Sequence, residues 1–370
     1  MRLQEIKKTR IVIASLLKPV DDTRMFEKLG QTLAEEAEVH IIGYPSQASF
    51  HHPNIALHSL QPFNRLSIGR LLSPWKVFRK LSTLKPDTFI ITTHELLVVG
   101  ILAKIFLSCR LIYDVQENYG RNIIYTNAFP KLLRPFIATY VRLKEWLTSP
   151  FVNHFLLAER GYEKELNFPG SKKTIIENKT NKVDTIVIKK DDGHINLLFT
   201  GTLAETTGVF TAIELAQRLH NVDASIRLTL IGYCSLKETL EEIKDEISDK
   251  DFINLIGGDH LVPHSEIVSQ IQSSHFGIIA YTENPSIVNS IPTKLYEYLG
   301  YQLPILLVDH NKLWIDCTIP YQASIPFNLS NLKPDEFLNQ MRAQSFYNSM
   351  PKDVFWDSEA EKLKKIVLPS

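Results

Sequence analysis

Short apolar runs alternate with amphipathic segments along most of the chain. Residues 10–17 and 88–92 are almost continuously apolar or β-branched, and each run precedes a segment with helical spacing, at 22–37 and 95–107. Strands of a parallel sheet are covered on both faces and therefore lack the strict alternation of a half-exposed strand. The pattern predicts repeated β-α-β units around a parallel sheet.

The same pattern starts again after a polar segment at 181–193 that contains Lys189, Lys190, Asp191 and Asp192. Helical spacing again separates the apolar runs. The apolar runs of this second half are 195–200, 226–231, 252–256, 276–280 and 304–308.

These repeats predict an α/β protein of two Rossmann-like, doubly wound parallel-sheet domains that face a cleft. We place an N-terminal domain at residues 1–185 and a C-terminal domain at 186–335. The helices of 336–370 are expected to pack back toward the N-terminal domain. Ligands of open α/β sheets collect beyond the carboxyl ends of the strands, so the residues that follow each strand are the candidates for function.

Composition adds a charge asymmetry. The 370 residues include 41 basic and 41 acidic side chains, and this neutrality disfavours a nucleic-acid partner. Residues 1–190 nevertheless hold 28 basic and 17 acidic side chains, whereas the remainder is acidic by the same margin. The basic half is expected to attract an anionic membrane surface or a lipid-linked diphosphate.

The cysteines and the lengths of the apolar runs disfavour disulfide-rich, zinc-binding and membrane-spanning proteins. The three cysteines are far apart and form no CxxC pair, which disfavours a disulfide framework or a structural zinc site. The apolar runs are shorter than the roughly 18 residues that span a bilayer. We therefore expect a cytoplasmic protein.

The segment that begins at Asn289 carries the most specific chemistry. Pro292 suits the first turn of a helix, whose amides and dipole attract anions. Lys294 adds a positive charge there, and Glu297 lies on the same helix face three residues later. This trio suits the diphosphate and the vicinal hydroxyls of a nucleotide. The alternative is a surface ion pair between Lys294 and Glu297.

The run Pro-Thr-Lys-Leu-Tyr-Glu-Tyr from Pro292, followed by Gly-Tyr-Gln-Leu-Pro, resembles the signature of GT-B glycosyltransferases of the group 1 type (family 4). Segments 22–29, 113–119, 199–203 and 230–232 fall in the order of that family, so the resemblance covers essentially the whole chain. It implies a nucleotide-sugar donor and assigns catalysis to Gln116, Asn289 and Lys294. The donor-binding residues that it implies are Gly201, Thr202, Thr207, Leu261, Val262, Pro292, Thr293, Lys294, Leu295 and Glu297.

The chain departs from the family pattern at several positions. Asn289 stands where the family has its first glutamate, and Gln116 stands where many members have histidine. Thr202 and Thr207 replace a basic pair near the phosphates. No Asp-x-Asp motif of the metal-binding type stands out at the end of a predicted strand. We therefore expect a metal-independent enzyme without a cofactor, in which Lys294 and the helix dipole take the place of a cation.

The family resemblance places the acceptor near the loops of the N-terminal half. The candidates that follow its strands are Asp22, Arg24, His94, Glu117 and Asn118. For Asp22 and Arg24 the alternatives are a helix cap and a solvated side chain, and for His94 a structural role. Two basic-aromatic stretches, 65–81 and 129–151, are either ordinary amphipathic helices or a surface that rests on anionic lipid.

Together these features predict a retaining glycosyltransferase that transfers a sugar to a hydroxyl of a saccharide acceptor, free or lipid-linked. Bacterial surface polysaccharide synthesis is the setting that the resemblance implies, in the cytoplasm or on the inner face of the plasma membrane. Two alternatives remain. One is a non-catalytic GT-B subunit that supports a partner transferase, and the other is a nucleotide-sugar 2-epimerase with the same fold.

Overall fold

The structure is a computed structural model that describes residues 8–45, 52–61, 63, 67–125, 129–182 and 193–368. It divides into an N-terminal unit, Met1–Asn178 with Trp356–Ser370, and a C-terminal unit, Lys179–Phe355. The predicted domain boundary at 185/186 lies outside the described residues, as do Arg65, Lys189, Lys190, Asp191 and Asp192.

The N-terminal unit contains a parallel sheet. Its order, within the described residues, is β3-β2-β1-β4-β5-β6-β7, and each neighbouring pair runs in the same direction. The strands are β1 Arg10–Pro19, β2 Glu38–Tyr44, β3 Ile55–Ser59, β4 Thr88–Ile91, β5 Arg110–Val115, β6 His154–Leu157 and β7 Lys173–Ile175.

Helices cover both faces of this sheet. The helix predicted at 22–37 is a π-helix at Thr23–Gly30 that continues as α1. The α-helices of the unit are α1 Gln31–Ala34, α2 Ile68–Leu84, α3 Leu97–Leu107, α4 Tyr119–Tyr125, α5 Arg134–Thr148, α6 Tyr162–Glu165 and α13 Asp357–Val367.

Strand β1 explains why the apolar runs are continuous. Val12 and Ala14 belong to one buried cluster, whereas Ile11 and Ile13 belong to another on the opposite face. Because successive side chains of a strand point to opposite faces, a strand with helices on both sides has no polar position in its middle. The predicted doubly wound parallel sheet is confirmed.

The C-terminal unit repeats this architecture with a sheet whose order, in its described part, is β10-β9-β8-β11-β12-β13. All of its neighbouring strands are parallel. The strands are β8 Ile195–Thr202, β9 Ile226–Tyr233, β10 Ile253–Gly258, β11 Phe276–Ile279, β12 Ile305–Val308 and β13 Ser324–Phe327. The helices are α7 Val209–His220, α8 Lys237–Ile247, α9 His264–Ser273, α10 Thr293–Gly300, α11 Lys312–Thr318 and α12 Pro334–Ala343.

The C-terminal helices, which were expected to pack back toward the N-terminal domain, are divided between the two units. Helix α12 belongs to the C-terminal unit, and α13 belongs to the N-terminal unit. Leu363 and Val367 of α13 are buried in the same cluster as Ile11 and Ile13 of β1. None of the helices among the described residues is both long and apolar enough to cross a membrane.

Candidate functional site

Glycines line the carboxyl edge of the C-terminal sheet. Gly201, Gly232 and Gly257 are the last residues but one of β8, β9 and β10, and Gly232 pairs in register with both of the others. A β-carbon on Gly232 would lie 1.7 Å from the carbonyl oxygen of Gly201, so the position excludes any other residue. The edge therefore presents bare backbone that a ligand can approach closely. The sequence singled out Gly201 for this role, but not Gly257.

Lys294 lies beside this glycine edge in the first turn of α10. A β-carbon placed on Gly201 would be 3.8 Å from its Cε and 4.0 Å from its Nζ. The side chain is only 7 % exposed, and its ammonium has no hydrogen-bond partner among the described residues. Nζ instead lies 4.2 Å from the ring centre of Phe199 and 5.1 Å from that of Tyr281. The alternative of a surface ion pair is wrong for Lys294, because the residue is buried.

The electrostatic state of Lys294 follows from this burial. Desolvation lowers its pKa from 10.5 to about 7, and the negative charge of Glu297 opposes that shift. A buried cation that lacks a partner is costly, and a bound anion removes the cost. Pro292 precedes the helix and provides no side-chain cap, so the positive end of the helix dipole adds to the attraction.

Glu297 is held by a residue that the sequence analysis missed. His264, the first residue of α9, donates from Nε2 to Oε1 of Glu297 over 2.8 Å. The carboxylate is largely buried, whereas the imidazole is more exposed. The other carboxylate oxygen accepts no hydrogen bond from the described residues, and a carboxylate fixed in this way suits a diol ligand. The two residues are 33 positions apart, so no local pattern linked them.

The remaining predicted donor residues fall into different environments. Val262 lies against the glycine edge, where its Cγ2 would be 2.5 Å from a β-carbon on Gly257. Thr207 uses its hydroxyl within its own loop, accepting from the Ala204 amide and lying 2.7 Å from the Thr202 carbonyl oxygen. Leu295 is a core residue. Thr202, Leu261 and Asn289 are exposed, and Pro292 and Thr293 are half-buried.

In the N-terminal unit, Arg24 forms a buried ion pair with Asp114. The guanidinium donates from Nε and Nη2 to the two carboxylate oxygens at 2.9 and 2.6 Å, and Nη2 also donates to the Ile176 carbonyl. Burial lowers the pKa of Arg24, but the carboxylate of Asp114 more than offsets this and the net shift is upward. The alternative of a solvated Arg24 side chain is wrong, because the residue is buried. Its Nη1 is buried without a hydrogen-bond partner among the described atoms.

Gln116 joins the same cluster. Its Nε2 donates to Oδ2 of Asp114 over 2.8 Å, and its Oε1 is a buried acceptor that lacks a partner in the described part of the chain. Arg24 and Gln116 thus share one carboxylate, and each retains one unused polar atom. Sequence reasoning missed Asp114, because an aspartate inside a buried strand gives no signal until its partner, 90 residues away, is known.

Asp22 and Asn118 cap helices. Asp22 accepts from the amides of Arg24 and Met25 and begins the π-helix, so the capping alternative describes its contacts. Asn118 is buried at the start of α4, where Nδ2 donates to Glu165 over 2.6 Å and Oδ1 accepts from the Arg121 amide. Both side chains fix loops at the carboxyl edge of the sheet.

His94 and Glu117 line a cavity of about 340 Å³ within the N-terminal unit. Lys144 donates to Nδ1 of His94 over 2.7 Å, so Nε2 carries the proton of the ring. Burial lowers the pKa of His94 to about 4, which keeps the imidazole neutral at pH 7. Glu117 is exposed and accepts from Asn122 over 3.2 Å. The apolar part of the lining consists of Leu17, Ile123, Phe129, Ile137, Tyr140 and Val141.

The structure thus brings together Gly201, Val262, Lys294 and Glu297 in the C-terminal unit. In the N-terminal unit, Arg24 and Gln116 meet on Asp114, and His94 and Glu117 share a cavity. All of these residues lie at the carboxyl ends of parallel strands, in the loops that follow them or in the first two turns of the next helix, where ligands of such sheets bind.

Comparison with known proteins gives a consistent fold. Neither a protein-family model nor a curated protein sequence matches the chain. The sucrose-phosphate synthase of Thermosynechococcus elongatus superposes with a TM-score of 0.71 at 12% identity, over 97% of this chain and 98% of its own. The catalytic domain of Arabidopsis thaliana starch synthase IV, bound to ADP and acarbose, gives 0.65 at 13% identity over 97% and 98%. Anabaena HepE with UDP and glucose gives 0.61 at 12% over 97% and 95%. The chain therefore has the GT-B fold.

Proposed function

We propose that the protein is a retaining, metal-independent glycosyltransferase of the group 1 type (family 4). It would transfer a sugar from a nucleotide donor to a hydroxyl of a saccharide in bacterial surface polysaccharide synthesis. The observation that carries this proposal is the buried, unpartnered ammonium of Lys294 beside the glycine edge. Such an arrangement is expensive unless an anion occupies it, and a diphosphate matches its charge. Neighbours of the same fold contain UDP with glucose, or ADP.

In this proposal the C-terminal unit binds the nucleotide-sugar donor. The diphosphate would contact Lys294 and the N-terminus of α10, while the free oxygen of Glu297 would accept from the ribose hydroxyls. The acceptor oxygen bonds to the anomeric carbon as the bond from that carbon to the diphosphate breaks. The acceptor proton passes to the departing diphosphate, whose negative charge Lys294 stabilises. Nucleoside diphosphate is the second product.

The acceptor half is proposed for the carboxyl edge of the N-terminal sheet. Gln116 has an unused carbonyl oxygen and Arg24 an unused nitrogen, and both suit sugar hydroxyls. The cavity bordered by His94 and Glu117 is largely apolar, with a few polar groups at one side, which is typical of a ligand pocket. We propose a lipid-linked saccharide as acceptor, met at the inner face of the plasma membrane.

A non-catalytic subunit that binds nucleotide-sugars is the second candidate. Two observations favour it: Asn289 brings no negative charge to the sugar site, and the hydroxyl of Thr207 is engaged by its own loop. Such a protein would bind the donor without turnover. Release of nucleotide only in the presence of acceptor identifies a transferase. Interconversion of the donor sugar without release of nucleotide identifies an epimerase.

The test of the donor site is a thermal-shift panel of uridine, guanosine and adenosine diphosphate sugars. A ligand at 100 times its dissociation constant adds about 2.7 kcal/mol of stability. We expect one base to respond, the response to persist in EDTA, and Lys294→Met to abolish it. The matched control is Glu283→Gln, which changes an exposed residue before the same helix. A panel in which no nucleotide-sugar raises the melting temperature refutes the assignment.

A further inference from the structure

We infer that one face of the N-terminal unit docks on an anionic lipid surface. The face is formed by α2, α3, α5 and the 3-10 turn Lys131–Leu133 that precedes α5. Most of the exposed large apolar side chains in the described parts of the chain are on these elements. The members of this apolar face are Ile68, Leu71, Leu72, Trp75, Val98, Ile105, Phe106, Leu132, Leu133, Phe136, Tyr140, Leu143, Trp146 and Leu147.

Each helix of the apolar face is apolar on two sides. In α2, Val77 and Leu81 are buried in the core, whereas Leu71 is 76 % exposed and Trp75 52 %. A surface helix of a globular protein normally keeps charged residues on its outer side, because only one stripe needs to be buried. A second apolar stripe therefore requires a second apolar environment.

Helix α5 shows the spacing of that second stripe. Phe136, Tyr140, Leu143 and Leu147 are all more than half exposed and recur at intervals of four, three and four residues. This interval places them on one side of the helix. The buried positions of α5 include Ala138 and Val141, which lie on the other side.

The stripes are adjacent. Helix α3 packs against both α2 and α5, and Ile105 and Phe106 of α3 are exposed, Phe106 to 70 %. The exposed residues of three neighbouring helices thus belong to one surface instead of being scattered. Apolar patches of this kind on a folded unit indicate a contact with protein or membrane.

The charge of the face identifies the occupant. Helices α2 and α3 contain no Asp or Glu, and the one acid of α5, Glu145, is buried and bonded to Arg142. Exposed basic residues of the face include Lys76, Arg79 and Lys131. These cations form no ion pair with the described residues, and apolar side chains bordered by such cations match the boundary between acyl chains and anionic headgroups. In a symmetric dimer through this face, both copies would present the same basic residues, and α2, α3 and α5 offer no exposed acid to pair with them.

This inference rests on the proposed function for its purpose, since it supplies the surface at which a lipid-linked acceptor is met. The cavity described above adjoins the apolar face: Arg70 comes from α2 and Tyr140 from α5. An acceptor lipid that lies in the membrane beside α5 is therefore close to the pocket proposed for its saccharide. Binding to lipid does not itself depend on the proposed function.

The first experiment is flotation of the full chain with vesicles of phosphatidylcholine and of phosphatidylcholine with 30 mol% phosphatidylglycerol. We expect binding to the anionic vesicles that weakens at high salt. Replacing both Leu71 and Phe136 by Ser is expected to reduce partitioning at least tenfold, because two apolar side chains no longer leave water. The matched control is Leu236→Ser with Ile319→Ser, two exposed apolar residues of the C-terminal unit.

Charge is tested separately. Lys76→Gln with Lys131→Gln is expected to weaken partitioning to anionic vesicles about 30-fold, since each basic residue near the surface contributes about fivefold. Lys237→Gln with Lys312→Gln, two exposed lysines of the other unit, is the control. Equal binding of the wild type to neutral and anionic vesicles contradicts the assignment of the face. So does an equal loss of vesicle binding in the Lys76/Lys131 variant and in its control.

The tryptophans provide a depth measurement in the unmodified protein. Trp75 and Trp146 are exposed on the apolar face, whereas Trp314 and Trp356 are buried. Lipids brominated near the glycerol are expected to quench about half of the fluorescence or less, and Trp75→Phe with Trp146→Phe is expected to remove that quenching. If the vesicles neither quench the fluorescence nor carry the protein in flotation, the inference is overturned. A nucleotide-sugar thermal shift measured on the same samples reports on the donor site alone, so each proposal fails independently.

Discussion

Replacing Lys294 by Met should stabilise the C-terminal unit while abolishing donor binding. Met keeps the length of the side chain and its contacts with Phe199 and Tyr281 but removes the charge. Most substitutions of buried residues destabilise a protein. The opposite sign is expected here, because the native state holds a cation away from water without a hydrogen-bond partner among the described residues.

The magnitude follows from the displaced pKa of Lys294. Its value falls from 10.5 to about 7, and each unit corresponds to about 1.4 kcal/mol. At pH 7 the lowered pKa of Lys294 therefore reduces the free energy of unfolding by about 4 kcal/mol. The cation–π contacts of the ammonium return about 1–2 kcal/mol. The net expectation for Lys294→Met is a gain of about 2–3 kcal/mol in the free energy of unfolding.

The pH dependence has a definite sign. Between pH 7 and 10.5 the unfolded chain binds more protons at Lys294 than the native state does, so stability rises with pH in this window. From pH 7 to pH 9 the wild-type protein should gain about 2 kcal/mol relative to Lys294→Met. Below pH 7 the difference between the two proteins should remain near its maximum.

Urea unfolding at pH 6, 7 and 9 measures these differences. The other three tryptophans are replaced by Phe in every protein compared, so that the fluorescence of buried Trp314 reports on the C-terminal unit. Lys237→Met, at an exposed lysine of the same unit, is the control and should shift neither the midpoint nor its pH dependence. If Lys294→Met is less stable than the wild type at pH 7, the ammonium is stabilised by its surroundings. An anion site at Lys294 would then be excluded.

Three further predictions concern the contacts of both units. Glu297→Gln should weaken nucleotide-sugar binding about 10–100-fold in calorimetry, through loss of charged hydrogen bonds, whereas Glu283→Gln should not. Asp114→Asn should cost about 3–5 kcal/mol in urea unfolding because Arg24 is left buried without its counterion, and adding Arg24→Met should recover part of the loss. Gly232→Ala should lower the melting temperature or prevent folding, because its β-carbon would overlap a neighbouring carbonyl oxygen; a melting curve equal to that of the wild type contradicts this.

Hydrophobic pattern was sufficient to predict the central strands of both sheets and most of the helices beside them. The strands that it missed, β3, β6, β7 and β13, are short and lie toward the sheet edges. Half-exposed or exposed positions in β3, β7 and β13 weaken the continuous apolar signal, whereas β6 is buried after His154 but is only four residues long. In β7 all of the residues are half-buried. The hydrophobic pattern reflects burial, so it no longer identifies a strand that is covered on fewer sides.

The candidate site was predictable where its parts are local. Lys294 and Glu297 share one turn of one helix, and the turn around Gly201 follows directly from the end of a strand. The partners His264 and Asp114 were not predictable. Each is matched to its site residue by tertiary packing between elements far apart in sequence, and a single sequence contains no record of that pairing.

The net charge of a unit is a poor guide to the ligand of its site. The C-terminal unit, Lys179–Phe355, is acidic overall, with 22 acidic and 14 basic side chains. Among its described residues, however, the buried charge that lacks a hydrogen-bond partner is a cation, Lys294. Exposed carboxylates act through water and salt, which screen them beyond about 8–10 Å. The ammonium of Lys294 is surrounded by aromatic rings and backbone, where screening is weak. A diphosphate that reaches the glycine edge therefore responds mainly to this one ammonium and the dipole of α10, and the surrounding acidity instead discourages anions from binding elsewhere on the unit.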